Sequence, residues 1–322
     1  MVSFLEGLGS GVRAVYEAGP TGFGLARAGR ERGIDVRVAA PGSIPKGPGD
    51  RVKTDRRDAV RMVRLLAAGE LSFAFVPTVA DECFRDLVRC IEDVRGDLMR
   101  ARHRLSKLLL RREERYPGPG RAWTGAHLGW LRSRQFDDPC LRATFADYLA
   151  GVELLLGRRS TLIEALEQQI PDCSHAPVIA ALRCFRGIDT LSAAGLCAEV
   201  GDWRRFRRPD LLSGFLGIVP SERTSDLKRR QGPITKAGPP SRSSIAGRGG
   251  PPLPLPAAHR PDARAPPARP RPPHHRDRLA RPAAPAQRWQ HLRHHRRKPS
   301  GVVVIAIARE LAAFCWEAAT LA

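Results

Sequence analysis

Residues 11–40 read GVRAVYEAGPTGFGLARAGRERGIDVRVAA, and their reading decides the fold class. GVRAVYE at 11–17 and IDVRVAA at 34–40 have strand composition, while PTGFGLARAGRERG at 20–33 reads as a helix closed by Gly33. A helix between two strands is a crossover, so the strands are expected to pair in parallel with a right-handed connection. After the Gly/Pro-rich loop PGSIPKGPGD at 41–50, DRRDAVRMVRLLAA at 55–68 has amphipathic spacing and ends near Gly69. Residues 1–80 are therefore expected to hold one α/β layer, and it opens abruptly.

Farther along, the period changes from strand to helix. Over residues 81–115 the apolar positions Phe84, Leu87, Val88, Ile91, Val94, Leu98, Leu105, Leu108 and Leu109 recur at three and four. A similar run through Phe145, Val152, Leu156 and Leu166 follows a Pro/Gly/Trp linker. Two long antiparallel helices over 81–170 are expected, as a coiled-coil dimer arm or as a core-facing hairpin within one monomer. Short helices follow over 178–216, with a turn at Gly187-Ile188-Asp189.

Lys plus Arg number 54 against 33 Asp plus Glu, and the net charge of +21 favours a polyanionic partner, DNA or RNA. Residues 239–298 alone hold fourteen of those cations and two acids, a surplus of 12 that leaves +9 for the rest. Within this stretch, 239–286 holds fourteen of the 28 prolines and almost no large apolar residue, so disorder is expected there. Residues 300–321 then resume an apolar helix with no apparent partner nearby. The seven cysteines show no zinc spacing and read as reduced, mostly buried thiols. No apolar run approaches the roughly 18 residues of a membrane helix, and the expectation is a soluble, cytoplasmic protein.

Glu17 ends a strand, and Asp55 and Asp58 lie three apart in the first turn of a helix, where two carboxylates share a face. Strand end plus helix start is where α/β folds assemble metal sites, although capping and dipole complementarity put acids at helix starts as well. His291, His294 and His295 could suggest a metal site, but they sit in a basic low-complexity stretch and no metal site is expected there.

The words around these carboxylates carry a resemblance. YEAGPTGFGL at 16–25, VKTDRRDAVRMVRLL at 52–66, GIDTLSAAGLCAEVGDWRRF at 187–206 and FLGIVPSERTSDLKRRQGPITKAG at 215–238 resemble, in order, motifs of the insertion-sequence 110/116/902 family of transposases. The resemblance spans residues 11–238 and resumes near 287. It implies a RuvC-like domain with an RNase H fold, whose DEDD acidic tetrad binds magnesium. Glu17, Asp55 and Asp58 match the second, third and fourth acids. The first belongs to an opening strand with no counterpart here, so the resemblance implies N-terminal truncation and a partial RuvC-like domain.

Ser225 matches the family's catalytic serine, which follows a G-x-x-P element, here Gly217-Ile218-Val219-Pro220. The resemblance implies attack of the serine oxygen on a DNA phosphodiester, with Arg223, Lys228, Arg229, Arg230 and Lys236 to hold the phosphate. Asp226 stands where most members have glycine and adds a negative charge there. Gly187 and Ile188 resemble a helix-hairpin-helix turn that grips phosphate through backbone amides, and Arg204 and Arg205 would add contacts.

The expected architecture is α/β plus α. It comprises a partial RuvC-like domain (1–80), a helical dimerisation arm (81–170), a small helix-hairpin-helix and serine domain (171–238), a disordered Pro/Arg/His-rich tract (239–299) and a C-terminal helix (300–322). The function implied is movement of an insertion sequence by a homo-oligomer acting on DNA, with an element-encoded guide RNA as a further partner. A basic DNA- or RNA-binding protein without chemistry, and a carboxylate-only resolvase-type nuclease, are the alternatives. Residues 239–286 are also expected to be a frameshifted reading, which would leave both the serine loop and the last helix poorly ordered; a true Pro/Arg-rich linker is the other account.

Overall fold

The computed structural model describes residues 1–45, 54–185, 187–222, 231–235 and 288–322. The chain divides into two compact units, Met1–Glu82 and Cys83–Ala322. The arrangement is α/β plus α, with helix dominating.

The first unit holds α1 (Val2–Gly7), β1 (Arg13–Glu17), α2 (Gly24–Glu31), β2 (Asp35–Ala39) and α3 (Asp55–Ala68). β1 and β2 pair in parallel from Arg13↔Asp35 to Glu17↔Ala39, as the crossover requires. The other edge of β2 is occupied by residues 72–74, where the Ala74 N–H donates to the Val38 carbonyl at 2.8 Å and the Ala40 N–H to that of Ser72 at 3.0 Å. Strand alternation sends Ala14, Tyr16, Val36 and Val38 toward α2, and Val15 and Ala39 toward α3, which packs with Met62, Leu65 and Leu66. Gly29 lets α2 approach closely, since a Cβ there would collide with the Val36 side chain. The Thr54 hydroxyl caps α3 by accepting from the Arg57 N–H, and Gly69 ends the helix at φ +74°.

α4 (Val79–Arg111) begins in the first unit and continues through the second, with α5 (Gly125–Arg132), α6 (Pro139–Gln169), α7 (Ala176–Leu182), α8 (Thr190–Val200) and α9 (Pro209–Phe215). A short antiparallel pair, β3 (Pro220–Glu222) and β4 (Gln231–Ile234), follows α9, and α10 (Ser300–Leu321) ends the described chain. α4 and α6 form an intrachain hairpin. Its outer half closes over Leu98, Leu105, Leu109, Leu131, Phe145 and Val152, while its inner half contributes Phe84, Val88, Ile91 and Leu166 to a larger core with α7, α8, α9 and α10. α8 is buried on every side because this core surrounds it, from Ser192 through Val200.

Two expectations are corrected here. The C-terminal helix is not without a partner: Ala312, Cys315 and Ala319 enter the larger core, and the Trp316 indole N–H donates to the Phe206 carbonyl at 2.9 Å. Its partners are α7 and α9, more than 80 residues back in the chain, so neighbouring sequence could not reveal them. Nor are the thiols mostly buried. All seven are free, but only Cys197 and Cys315 are buried, while Cys83, Cys140 and Cys184 are exposed.

Candidate functional site

The acidic edge of the first unit is built by the alternation of β1. Val15 faces α3, so Glu17, two residues on, shares that face at the C-terminal end of the strand. On α3, Asp58, Met62 and Leu66 follow one another at four-residue spacing, and Asp55 lies three before Asp58, so both acids continue the stripe that packs on the sheet. Glu17 and Asp55 are exposed. Asp58 is half-buried and accepts a 2.7 Å hydrogen bond from Arg61 Nη2. The three carboxylates thus come to one sheet face. An all-carboxylate donor set suits magnesium. Their placement, however, does not make a ligand cluster: among the described residues no group of three or more His, Cys, Asp or Glu converges closely enough to hold a metal ion.

The turn before α8 has the backbone that its sequence requires, with Gly187 at φ +93°. Two amides that a phosphate would use there are already engaged. The Ile188 N–H donates to the Phe185 carbonyl at 3.2 Å, and the Ser192 N–H to the Asp189 carboxylate, the N-cap of α8, at 2.7 Å. Asp189 also places negative charge where a phosphate would approach, and Ile188 is 8% exposed as part of the core.

The two adjacent arginines differ. Arg204 is exposed. Arg205 is half-buried, its guanidinium 4.5 Å from the Phe206 ring and 4.4 Å from the Phe215 ring, and burial lowers its pKa. Such a sandwich makes Arg205 part of the packing between α9 and the Trp203–Arg205 turn.

Ser225, Arg223, Lys228, Arg229, Arg230 and Lys236 lie outside the described residues, as does the whole of 239–286. Their flanks are described. Gly217, at φ +69°, turns the chain out of α9 into β3. β3 and β4 then pair, Pro220↔Ile234 and Glu222↔Gln231, so the chain leaves for Ser225 and returns from it side by side. The Ser221 hydroxyl locks this pair by donating to the Pro233 carbonyl at 3.0 Å, and Gly232 is what permits its approach.

The outer part of α4 carries a run of cations that matches none of the family motifs: residues 98–112 hold six Lys or Arg and no acid. Among the described residues no helix is long and apolar enough to cross a membrane.

Comparison with known proteins points one way. Residues 179–245, from α7 through the segment that holds Ser225, match the model of the Transposase IS116/IS110/IS902 family. A Sinorhizobium fredii protein named as a transposase, y4qE, is 40% identical over 223 residues, covering 69% of this chain and 54% of that one. The transposase for insertion sequence element IS1533 of Leptospira borgpetersenii is 34% identical over 194 residues, covering 60% and 56%. A Pseudomonas aeruginosa protein named as a family 20 transposase is 28% identical over 305 residues, covering 90% and 79%. The chain spans about half the length of the first two of these relatives.

Proposed function

The chain belongs to the insertion-sequence 110/116/902 transposase family, and from that premise we propose that it moves an insertion sequence by cutting and joining DNA strands through Ser225. The observation that carries the reading is the family match over residues 179–245, which includes the G-x-x-P turn at Gly217, the paired strands after it and Ser225 itself. Ser225 Oγ attacks a DNA phosphorus; its proton passes to a base, and the bond to one strand oxygen breaks to leave a phosphoserine link and a free strand hydroxyl. Attack of a strand hydroxyl on that link rejoins DNA and returns the serine. Arg223, Lys228, Arg229, Arg230 and Lys236 neutralise the phosphate as charge builds on it.

In this reading residues 1–80 are a partial RuvC-like, RNase H-like domain, and Glu17, Asp55 and Asp58 would hold magnesium, which would supply positive charge at a DNA phosphate. The shared sheet face of the three acids supports that assignment; the Arg61 contact to Asp58 stands against it, as does the failure of the three acids to converge into a ligand cluster among the described residues. The exposed Arg204 contacts the DNA backbone beside the turn at Gly187. The helix-hairpin-helix assignment of that turn rests on the resemblance, and the engaged Ile188 and Ser192 amides and the Asp189 carboxylate stand against it. The α4–α6 hairpin mediates homo-oligomer formation, and a guide RNA from the element is a further partner.

The test is a strand-joining assay on a duplex that carries an insertion end, with Ser225→Ala and Asp58→Asn beside the parent. Loss of joining in Ser225→Ala with duplex binding intact supports the reading. Magnesium-dependent cutting that ignores Ser225 would select a carboxylate nuclease instead, and binding without chemistry in any form would select a binding protein.

A further inference from the structure

Helix α4 changes charge halfway along. Between residues 79 and 97 six acids meet three arginines, a net −3; between residues 98 and 112 six cations meet no acid, a net +6. Complementing the helix dipole puts acids in the first turn and cations in the last, but that effect dies away within a turn of each end and α4 runs for 33 residues. Ion pairing does not explain the cations either. Arg104, Lys107 and Arg111 are exposed and pair with no carboxylate among the described residues. They follow at three and four, so they form one stripe about 10 Å long. Like charges at that spacing destabilise a helix, so the stripe is a cost to folding.

The loop at the end of α4 is held rigid. His127 packs among Tyr116, Trp123 and Trp130, with ring centroids 5.1, 5.2 and 5.6 Å from its own, and its Nδ1 accepts the Trp123 N–H at 3.2 Å. That contact holds Trp123 at φ +70°, a conformation few non-glycine residues adopt. Arg102 and Arg134 lie over the Trp123 and Trp130 rings, and exposed Arg112, Arg115 and Arg121 carry cations on into this loop, where Glu114 pairs with Arg134 at 3.7 Å and Glu113 is exposed.

We propose that the outer half of the α4–α6 hairpin is a nucleic-acid-binding surface, separate from the Gly187 turn and the serine loop, in which Arg104, Lys107 and Arg111 take phosphates of a polynucleotide backbone. A phosphate chain is the partner that an acid-free stripe of exposed cations on a rigid support complements, and the contacts are sequence-tolerant because they touch no base edge. The surface deepens the transposase reading by adding a nucleic-acid contact, and a binding measurement tests it without reference to strand joining.

The experiment uses the full chain, with fluorescence anisotropy against a duplex DNA and a hairpin RNA of arbitrary sequence across a salt series. The triple substitution Arg104→Ala, Lys107→Ala, Arg111→Ala should lower affinity about tenfold or more at low salt. It should also reduce the slope of log affinity against log salt by about two to three on duplex DNA, near 0.9 for each phosphate that the variant no longer neutralises. Arg104→Lys with Lys107→Arg and Arg111→Lys should keep parental binding. The probe whose binding falls further identifies the source of the backbone. Unchanged affinity and slope in the Ala triple, with helicity intact by circular dichroism, overturn the proposal. So does an equal fall in the control Arg13→Ala, Arg30→Ala, Arg64→Ala, which removes the same charge elsewhere. A change in oligomeric state with binding intact also overturns it, because the stripe would then join copies of the chain. If Ser225→Ala fails to affect joining while the arm triple abolishes binding, the strand-joining reading falls and this surface stands.

Discussion

The two halves of the α4–α6 hairpin are packed alike and charged oppositely. Both bury a stripe at helical spacing, Phe84, Val88 and Ile91 in the inner half and Leu98, Leu105 and Leu109 in the outer. On the inner half charge works for the fold: Arg89 reaches Glu199 on α8 with contacts of 2.8 and 3.1 Å, and the Glu199 side chain is 3% exposed. On the outer half Arg104, Lys107 and Arg111 lie beside the packed stripe and reach no carboxylate among the described residues. Hydrophobic burial therefore accounts for the hairpin as a whole, and the difference in surface charge is left for function to explain.

If packing is the shared part, Ile91→Ala and Leu105→Ala, both at fully buried positions, should each cost about 2–5 kcal/mol in urea unfolding. A large cost on one half alone would break the comparison. Next in size is Arg89→Ala, expected to cost about 1–3 kcal/mol because it removes the guanidinium from a buried carboxylate while itself being partly exposed. Arg100→Ala on the outer half breaks only an exposed pair with Asp97 and should change stability by no more than about 0.5 kcal/mol.

A pH series separates the halves further. Burial holds the His127 imidazole below its usual value of 6.5, so the unfolded chain binds the proton more readily than the folded one. Stability should then fall as pH drops below about 6.5, until the lowered native value is passed. The melting temperature of His127→Gln should be flatter than the parent's across that window; identical slopes would mean that the imidazole plays no part. The smallest effect belongs to Arg104→Ala, at an exposed position, which should leave the melting temperature almost unmoved while weakening nucleic-acid binding.

What the sequence made legible follows the range of the interactions. The parallel pair, α2 and α3 were readable because each rests on local signals: alternation in 11–17, Gly33 and Gly69 as helix stops, Asp55 and Asp58 in a first turn. The long helices were readable from their periods. The partner of α10 was not, because Cys315 and Ala319 meet residues more than a hundred positions away. The linker after α4 looked like a Pro/Gly/Trp connection; it contains α5, because Thr124 caps it by accepting the His127 N–H and the aromatic cluster closes around His127. Arg204 and Arg205 looked equivalent in sequence. Only the placement of Phe206 and Phe215 makes one a surface cation and the other a packed one.

The central claim, strand transfer through Ser225, is met most directly by trapping the link it implies. The chain is incubated with a duplex carrying an insertion end, denatured and digested, and the DNA-bound peptide is identified by mass spectrometry. A phosphodiester on Ser225, present in the parent and absent from Ser225→Ala, is the expected result. Cutting and joining with no protein–DNA link, or a link that persists undiminished in Ser225→Ala, would contradict it.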